Sequence, residues 1–153
     1  MSLRLASASF KHTQMIPTQF TCDGEDRSPE LSWSGAPPKT ASFVIICDDP
    51  DAPGGDWVHW VVFDLPPESS GLAEGTPARE ELEAGGTHGK NSWGRLGYGG
   101  PCPPRGTHRY FFTLYALDRR LDLGAGATKS EVLRAAEGHI LAQGQLMGRY
   151  QRR

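Results

Sequence analysis

Gly97-Tyr98-Gly99-Gly100-Pro101-Cys102-Pro103-Pro104-Arg105-Gly106-Thr107-His108-Arg109-Tyr110-Phe111-Phe112-Thr113-Leu114-Tyr115-Ala116-Leu117 passes from glycine and proline punctuation into one long apolar and aromatic run. That change reads as a loop feeding a β-strand. Strand alternation places His108 and Tyr110 on one face and Arg109 on the other. One face then offers an imidazole and a phenol, both able to donate to an anion. Arg109 reads as an ion-pair partner on the opposite side. Glycine permits close backbone approach, so the loop 97–106 is expected to offer N–H groups to a phosphate. It is not a P-loop, because the G-x-x-x-x-G-K-[ST] spacing is missing.

The same grammar occurs twice upstream. Phe43-Val44-Ile45-Ile46-Cys47 runs into Asp49-Pro50-Asp51-Ala52-Pro53, and Trp57-Val58 precedes His59-Trp60-Val61-Val62-Phe63. These runs are short, β-branched or aromatic, bounded by turn residues and without strict alternation, as strands buried on both faces are. Weaker strands are expected at Leu3–Ala6 and Leu31–Trp33. One helix is expected: Thr128 and Glu131 form a capping box, and Val132, Ala136 and Ile140 recur every four residues. Gly138 and Gly144 weaken that helix. Glycine supplies 19 and proline 12 of the 153 residues, about a fifth of the chain against an average of roughly 12%. Turns are therefore frequent and the fold class is mainly β, in one domain over 1–153. The segment 85–104 contains Trp93 and Tyr98 and stops in a strand, so it reads as a structured loop bordering a site rather than a linker.

Charge and composition exclude several classes. The formal net charge is −2, which gives no basic excess for nucleic acid. No apolar run approaches the roughly 20 residues of a membrane helix. The polar, broken start does not read as a signal peptide, so a cytoplasmic location is expected. Three cysteines, Cys22, Cys47 and Cys102, form neither a disulfide framework nor a zinc pattern. They read as reduced core or loop thiols, with a Cys22–Cys47 bridge left open. No metal ligand set and no cofactor motif is present.

Asp49, first past its apolar run, is expected to face a pocket, and Asp51 with Pro53 to brace the loop. His59, between two tryptophans, reads by itself as a satisfied core residue more readily than as a functional one. Taken together, these motifs resemble the phosphatidylethanolamine-binding protein family, also called the Raf kinase inhibitor-like family. The likeness runs almost end to end: Phe20-Thr21-Cys22-Asp23-Gly24 with Ser28-Pro29 and Leu31-Ser32-Trp33, then the central blocks, then Glu137-Gly138-His139-Ile140-Leu141-Ala142 with Leu146-Met147-Gly148-Arg149-Tyr150. The resemblance implies a central antiparallel sheet packed on a smaller sheet, few peripheral helices, and a small anion pocket at the sheet end. It implies that Asp49, His59, His108 and Tyr110 line that pocket, with Trp57 as an apolar wall and Gly100 and Pro101 as backbone rim. Val58 stands where animal members carry a second histidine, so regulation of animal kinases does not transfer. Whether Tyr150 covers the pocket is left open.

The expected function is non-enzymatic binding of phosphate, phosphoethanolamine-type headgroups or a phosphorylated group on a partner protein. Asp49 would orient a histidine rather than meet a phosphate dianion, and binding would strengthen as pH falls through the histidine range. The alternatives are an inhibitor of a kinase or protease acting through the pocket rim, or a hydrolase using the Asp/His cluster. No serine or cysteine motif marks a nucleophile and no H-E-x-x-H spacing marks zinc. A homodimer is left open.

Overall fold

The computed structural model describes residues 2–152. In chain order the strands are β1 (Arg4–Ala6), β2 (Leu31–Ser34), β3 (Ser42–Asp49), β4 (Trp57–Leu65), β5 (Gly71–Leu72), β6 (Thr87–His88), β7 (Thr107–Leu117) and β8 (Ile140–Gln151). The α-helix α1 (Lys129–Ala136) lies between β7 and β8. A five-stranded antiparallel sheet has the order β6-β4-β3-β7-β8, and a three-stranded one the order β1-β2-β5.

Both faces of the large sheet are covered, which is why its central strands lack alternation. On one face Phe43, Ile45, Phe112 and Leu114 pack with Leu5, Leu31 and Trp33 of the small sheet. On the other, Val44, Ile46, Val61 and Phe63 pack with Val132 and Ala136 of α1. The small sheet sits so close that a Cβ at Gly144 would come 2.6 Å from the Leu3 carbonyl oxygen.

The capping box holds: Thr128 Oγ1 accepts the Glu131 N–H at 3.2 Å, and Glu131 Oε1 accepts the Thr128 N–H at 2.9 Å. The expected apolar face is cut short, however. The helix ends at Ala136, Gly138 turns the chain at φ +82°, and Ile140 opens β8 with 40% exposure. Sequence reasoning missed β8 because Leu141, Ala142 and Gln143 are good helix formers. Pairing with β7 along its whole length overrides that local preference.

The cysteines also depart from expectation. Cys22 is joined to Cys102, with Cα atoms 5.4 Å apart, while Cys47 is a buried free thiol. Cys47 sits in β3 opposite Trp60 and Phe112, inside the core, while the two loop cysteines are bonded to each other. Burial, ahead of nearby carboxylates, pushes the Cys47 thiol pKa up, so it stays protonated.

Candidate functional site

Three strand ends meet on the core face of the large sheet. β3 ends in Asp49, β4 begins at Trp57, and β7 begins just before His108. On β7 the alternation is as expected: His108 and Tyr110 are buried and Arg109 is exposed. On β4 it is not. The register shifts from Cys47↔Trp60 to Asp48↔Val58, leaving His59 as the extra residue of a β-bulge. Simple alternation from Trp60 would send His59 to the helix face with Val61. The bulge re-aims it toward Tyr110, ring centroids 5.2 Å apart.

These strand ends line a cavity of about 630 Å³, together with Trp57, Trp93, the loop from Ala52 to Asp56 and the lip Cys102-Pro103-Pro104. Asp49 is 3% exposed and fully engaged within the protein. Its Oδ2 lies 2.7 Å from His108 Nδ1 and its Oδ1 accepts the Asp51 N–H at 2.8 Å. A carboxylate acceptor puts the proton on His108 Nδ1 and leaves Nε2 without a protein partner. His59 Nδ1 lies 2.7 Å from the Gly99 carbonyl oxygen, so that nitrogen also carries a proton. Burial lowers the His59 pKa, against the Gly99 carbonyl and the charge of Asp49, which favour the cation. His59 is therefore neutral at pH 7, with Nε2 free.

Tyr110 is fully buried, and its hydroxyl alone among buried side-chain polar atoms of the described residues lacks a hydrogen-bond partner. Burial first, and then the Asp49 charge, raise its pKa far above the usual tyrosine range. The phenol thus remains a donor at every physiological pH. Leaving such a group unmatched costs about 1–3 kcal/mol, which an incoming acceptor would recover.

Asp51 turns away from the cavity to Arg109. Arg109 Nε and Nη2 donate to the two Asp51 oxygens at 2.9 and 2.8 Å, and the Arg109 N–H donates at 3.0 Å. Those bonds hold the Asp51 pKa down at about 2. Pro53 lies on the cavity wall, as does Trp57, which meets Trp93 edge-to-face at 5.5 Å. Sequence reasoning missed Trp93, Ser92 and Asp56 on this wall.

The expected backbone cradle does not form as drawn. The Gly99 N–H donates to the His59 carbonyl at 3.0 Å, and the Gly100 N–H donates to Asp26 Oδ1 at 2.8 Å. The Pro101 carbonyl accepts the Cys22 N–H at 3.1 Å. Gly100 and Pro101 therefore stand behind the rim, bonded to the segment 20–26, and Cys102-Pro103-Pro104 forms the lip in their place. Tyr150 does not cover the pocket either. Its hydroxyl donates to Asp23 Oδ2 at 2.7 Å, beside a separate groove.

Residues 6–151 match the family described as phosphatidylethanolamine-binding protein. A UPF0098 protein of Methanothermobacter thermautotrophicus is 52% identical over 150 residues, spanning 98% of this chain and 99% of the relative. One of Aquifex aeolicus is 47% identical over 153 residues, spanning 98% and 89%. Among crystal structures, a Chlamydia trachomatis phosphatidylethanolamine-binding protein homolog superposes with a TM-score of 0.92 at 40% identity, covering 99% of both chains. An Escherichia coli chain described as a new member of the mammalian family does so with 0.92 at 28% identity, covering 100% of both. With the fold, the sequence and the whole length in agreement, the chain belongs to the phosphatidylethanolamine-binding protein family.

Proposed function

We propose that this protein is a non-enzymatic binder of small phosphate-like anions: inorganic phosphate, phosphoethanolamine-type headgroups, or a phosphorylated side chain presented by a partner it regulates. The observation that carries this reading is the buried, unpartnered and permanently protonated Tyr110 hydroxyl, beside two histidines whose second nitrogens are free. Tyr110 and a protonated histidine Nε2 donate to the anion, and Asp49 holds His108 in register instead of meeting the ligand's charge. Trp57 and Trp93 give the ligand an apolar wall. Asp49 keeps its charge while its oxygens accept from His108 and the Asp51 N–H, so anion binding takes up a proton on a site imidazole, which offsets that charge.

Binding is favoured over hydrolysis because, among the described residues, no hydroxyl or thiol of the cavity wall is hydrogen-bonded to a base that would activate it, and the Tyr110 phenol is held protonated. Ser92 Oγ accepts the Val58 N–H at 2.8 Å, and the Cys102 sulfur is in a disulfide. A single domain and a cytoplasmic setting belong to the same proposal. Among the described residues no helix is long and apolar enough to cross a membrane. In a cytoplasmic setting the Cys22–Cys102 disulfide is a bond in exchange with the thiol pool rather than a permanent one, since permanent disulfides are rare in reducing compartments.

The test is a calorimetric titration of wild type and His108→Gln with O-phosphoethanolamine and with inorganic phosphate. Glutamine can still donate to Asp49, whereas alanine would strand a buried carboxylate. Saturable binding to wild type that weakens at least about tenfold in His108→Gln supports the reading. Equal affinity in the two proteins, or none in wild type, contradicts it.

A further inference from the structure

Cys22 and Cys102 lie 80 positions apart and are joined where the pocket rim meets the segment that follows the short 3-10 turn Thr18–Phe20. Both are half-buried, and Cys102 is part of the cavity wall. Neither belongs to a strand or a helix. Asp49, His59, His108 and Tyr110 all stand on the large sheet, whose pairings do not pass through the bond. Three hydrogen bonds run alongside it: Cys22 N–H to the Pro101 carbonyl at 3.1 Å, Gly100 N–H to Asp26 Oδ1 at 2.8 Å, and Tyr98 hydroxyl to the Phe20 carbonyl at 2.7 Å. Opening the bond would thus leave the sheet standing while removing the one covalent tie on the lip. The same rim reaches His59 through the Gly99 carbonyl, so a loosened rim also releases an imidazole of the site.

We propose that Cys22–Cys102 is a thiol–disulfide exchange site that sets the state of the pocket: closed, it holds the lip over the anion site; opened, it frees the lip and weakens anion binding. The reductant is a dithiol, as a small molecule or a protein. Its thiolate attacks one sulfur of the bond, forming a mixed disulfide and expelling the other cysteine as thiolate. The reductant's second thiolate then attacks the mixed disulfide and releases the first cysteine. Two electrons and two protons end on Cys22 and Cys102, and the reductant leaves as its own disulfide. The affinity consequence rests on the anion-pocket reading; the exchange site itself does not.

The experiment compares oxidised protein, protein treated with dithiothreitol, and the double variant Cys22→Ser/Cys102→Ser. Alkylation counted by mass spectrometry reports the thiols, and amide hydrogen exchange reports each segment. Calorimetry with inorganic phosphate and with O-phosphoethanolamine reports affinity and separates free anion from headgroup. Expected are two newly alkylated cysteines in the folded protein, faster exchange over residues 18–26 and 97–106 with β3 and β7 unchanged, and affinity weakened at least about fivefold. The double variant should match the reduced protein whatever the redox conditions. A bond that resists dithiothreitol in the folded protein, reduction that melts β3 and β7, or unchanged rim exchange would each overturn the exchange site. Equal affinity despite a loosened rim would overturn its link to the pocket. If oxidised protein binds neither anion, the pocket reading falls, and rim exchange alone decides the exchange site.

Discussion

His88 and His108 are both buried histidines, yet one is finished and the other is not. His88 Nε2 accepts the Trp60 Nε1–H at 3.0 Å, and His88 Nδ1 meets the Arg79 carbonyl oxygen at 2.6 Å. Both nitrogens are used, and the ring serves the wall between β4 and β6. His108 spends Nδ1 on Asp49 and leaves Nε2 to the cavity. His59 follows the same half-finished pattern through Gly99, and Tyr110 is the extreme case, its hydroxyl making no well-formed hydrogen bond although the Asp49 carboxylate stands beside it. What separates a structural polar residue from a binding one here is not burial or residue type. It is whether the protein completes the hydrogen bonds that burial demands.

The largest effect should come from breaking the finished side. His88→Leu strands the Trp60 N–H and the Arg79 carbonyl, so stability should fall by about 2–4 kcal/mol. Urea unfolding would show that loss, while calorimetry on the folded variant should show unchanged phosphate affinity. His108→Gln should do the reverse, lowering affinity at least about tenfold, or about 1.4 kcal/mol, with a smaller change in unfolding. If both substitutions act alike on both measurements, the comparison fails.

Acid should sharpen the comparison. Burial lowers the pKa of His59 and of His88 relative to the ordinary value. The unfolded chain then binds more protons than the native one between the lowered values and about 6.5. The stability from keeping these rings neutral is full above that upper value and is lost as pH falls below it. An anion that needs a protonated His59 gains affinity over the same interval. Sulfate, whose charge is constant there, should protect against urea more at pH 5 than at pH 7. His88→Leu should lessen the acid loss without altering that protection. Sulfate protection that weakens on acidification would remove the histidine from the mechanism.

The smallest effect is expected at Asp51→Asn. Its bond to Arg109 braces a half-exposed loop and touches no part of the cavity. Phosphate affinity should change less than about threefold, because exposed pairs contribute little. A larger change would mean that the Asp49–Pro53 turn positions Asp49 through Asp51.

How much of this was legible in the sequence follows from what local pattern can encode. β3, β4 and β7 were visible because burial on both faces demands unbroken apolar runs. His108, Tyr110 and Arg109 were separable because strand alternation is a local rule. His59 was ambiguous because its direction depends on a bulge, which exists only between two paired strands. β8 was invisible for the same reason, its helix-forming residues being held extended by β7. The Cys22–Cys102 pairing and the loss of Gly100 to Asp26 both depend on contacts between segments more than seventy residues apart. Trp93 carried no signal, since an aromatic in a glycine-rich loop marks order without saying what it faces.

The most direct test is Tyr110→Phe, which removes only the hydroxyl that the protein leaves unmatched. The account predicts that urea unfolding is unchanged or stability rises by up to about 1 kcal/mol, since no internal bond is lost. It also predicts that calorimetric affinity for inorganic phosphate falls at least about tenfold, since a hydrogen bond to a charged acceptor contributes about 1.5–3 kcal/mol. A variant that binds phosphate as tightly as wild type, or one destabilised with its affinity intact, would show that the Tyr110 hydroxyl belongs to the scaffold and that the pocket is not built around an anion.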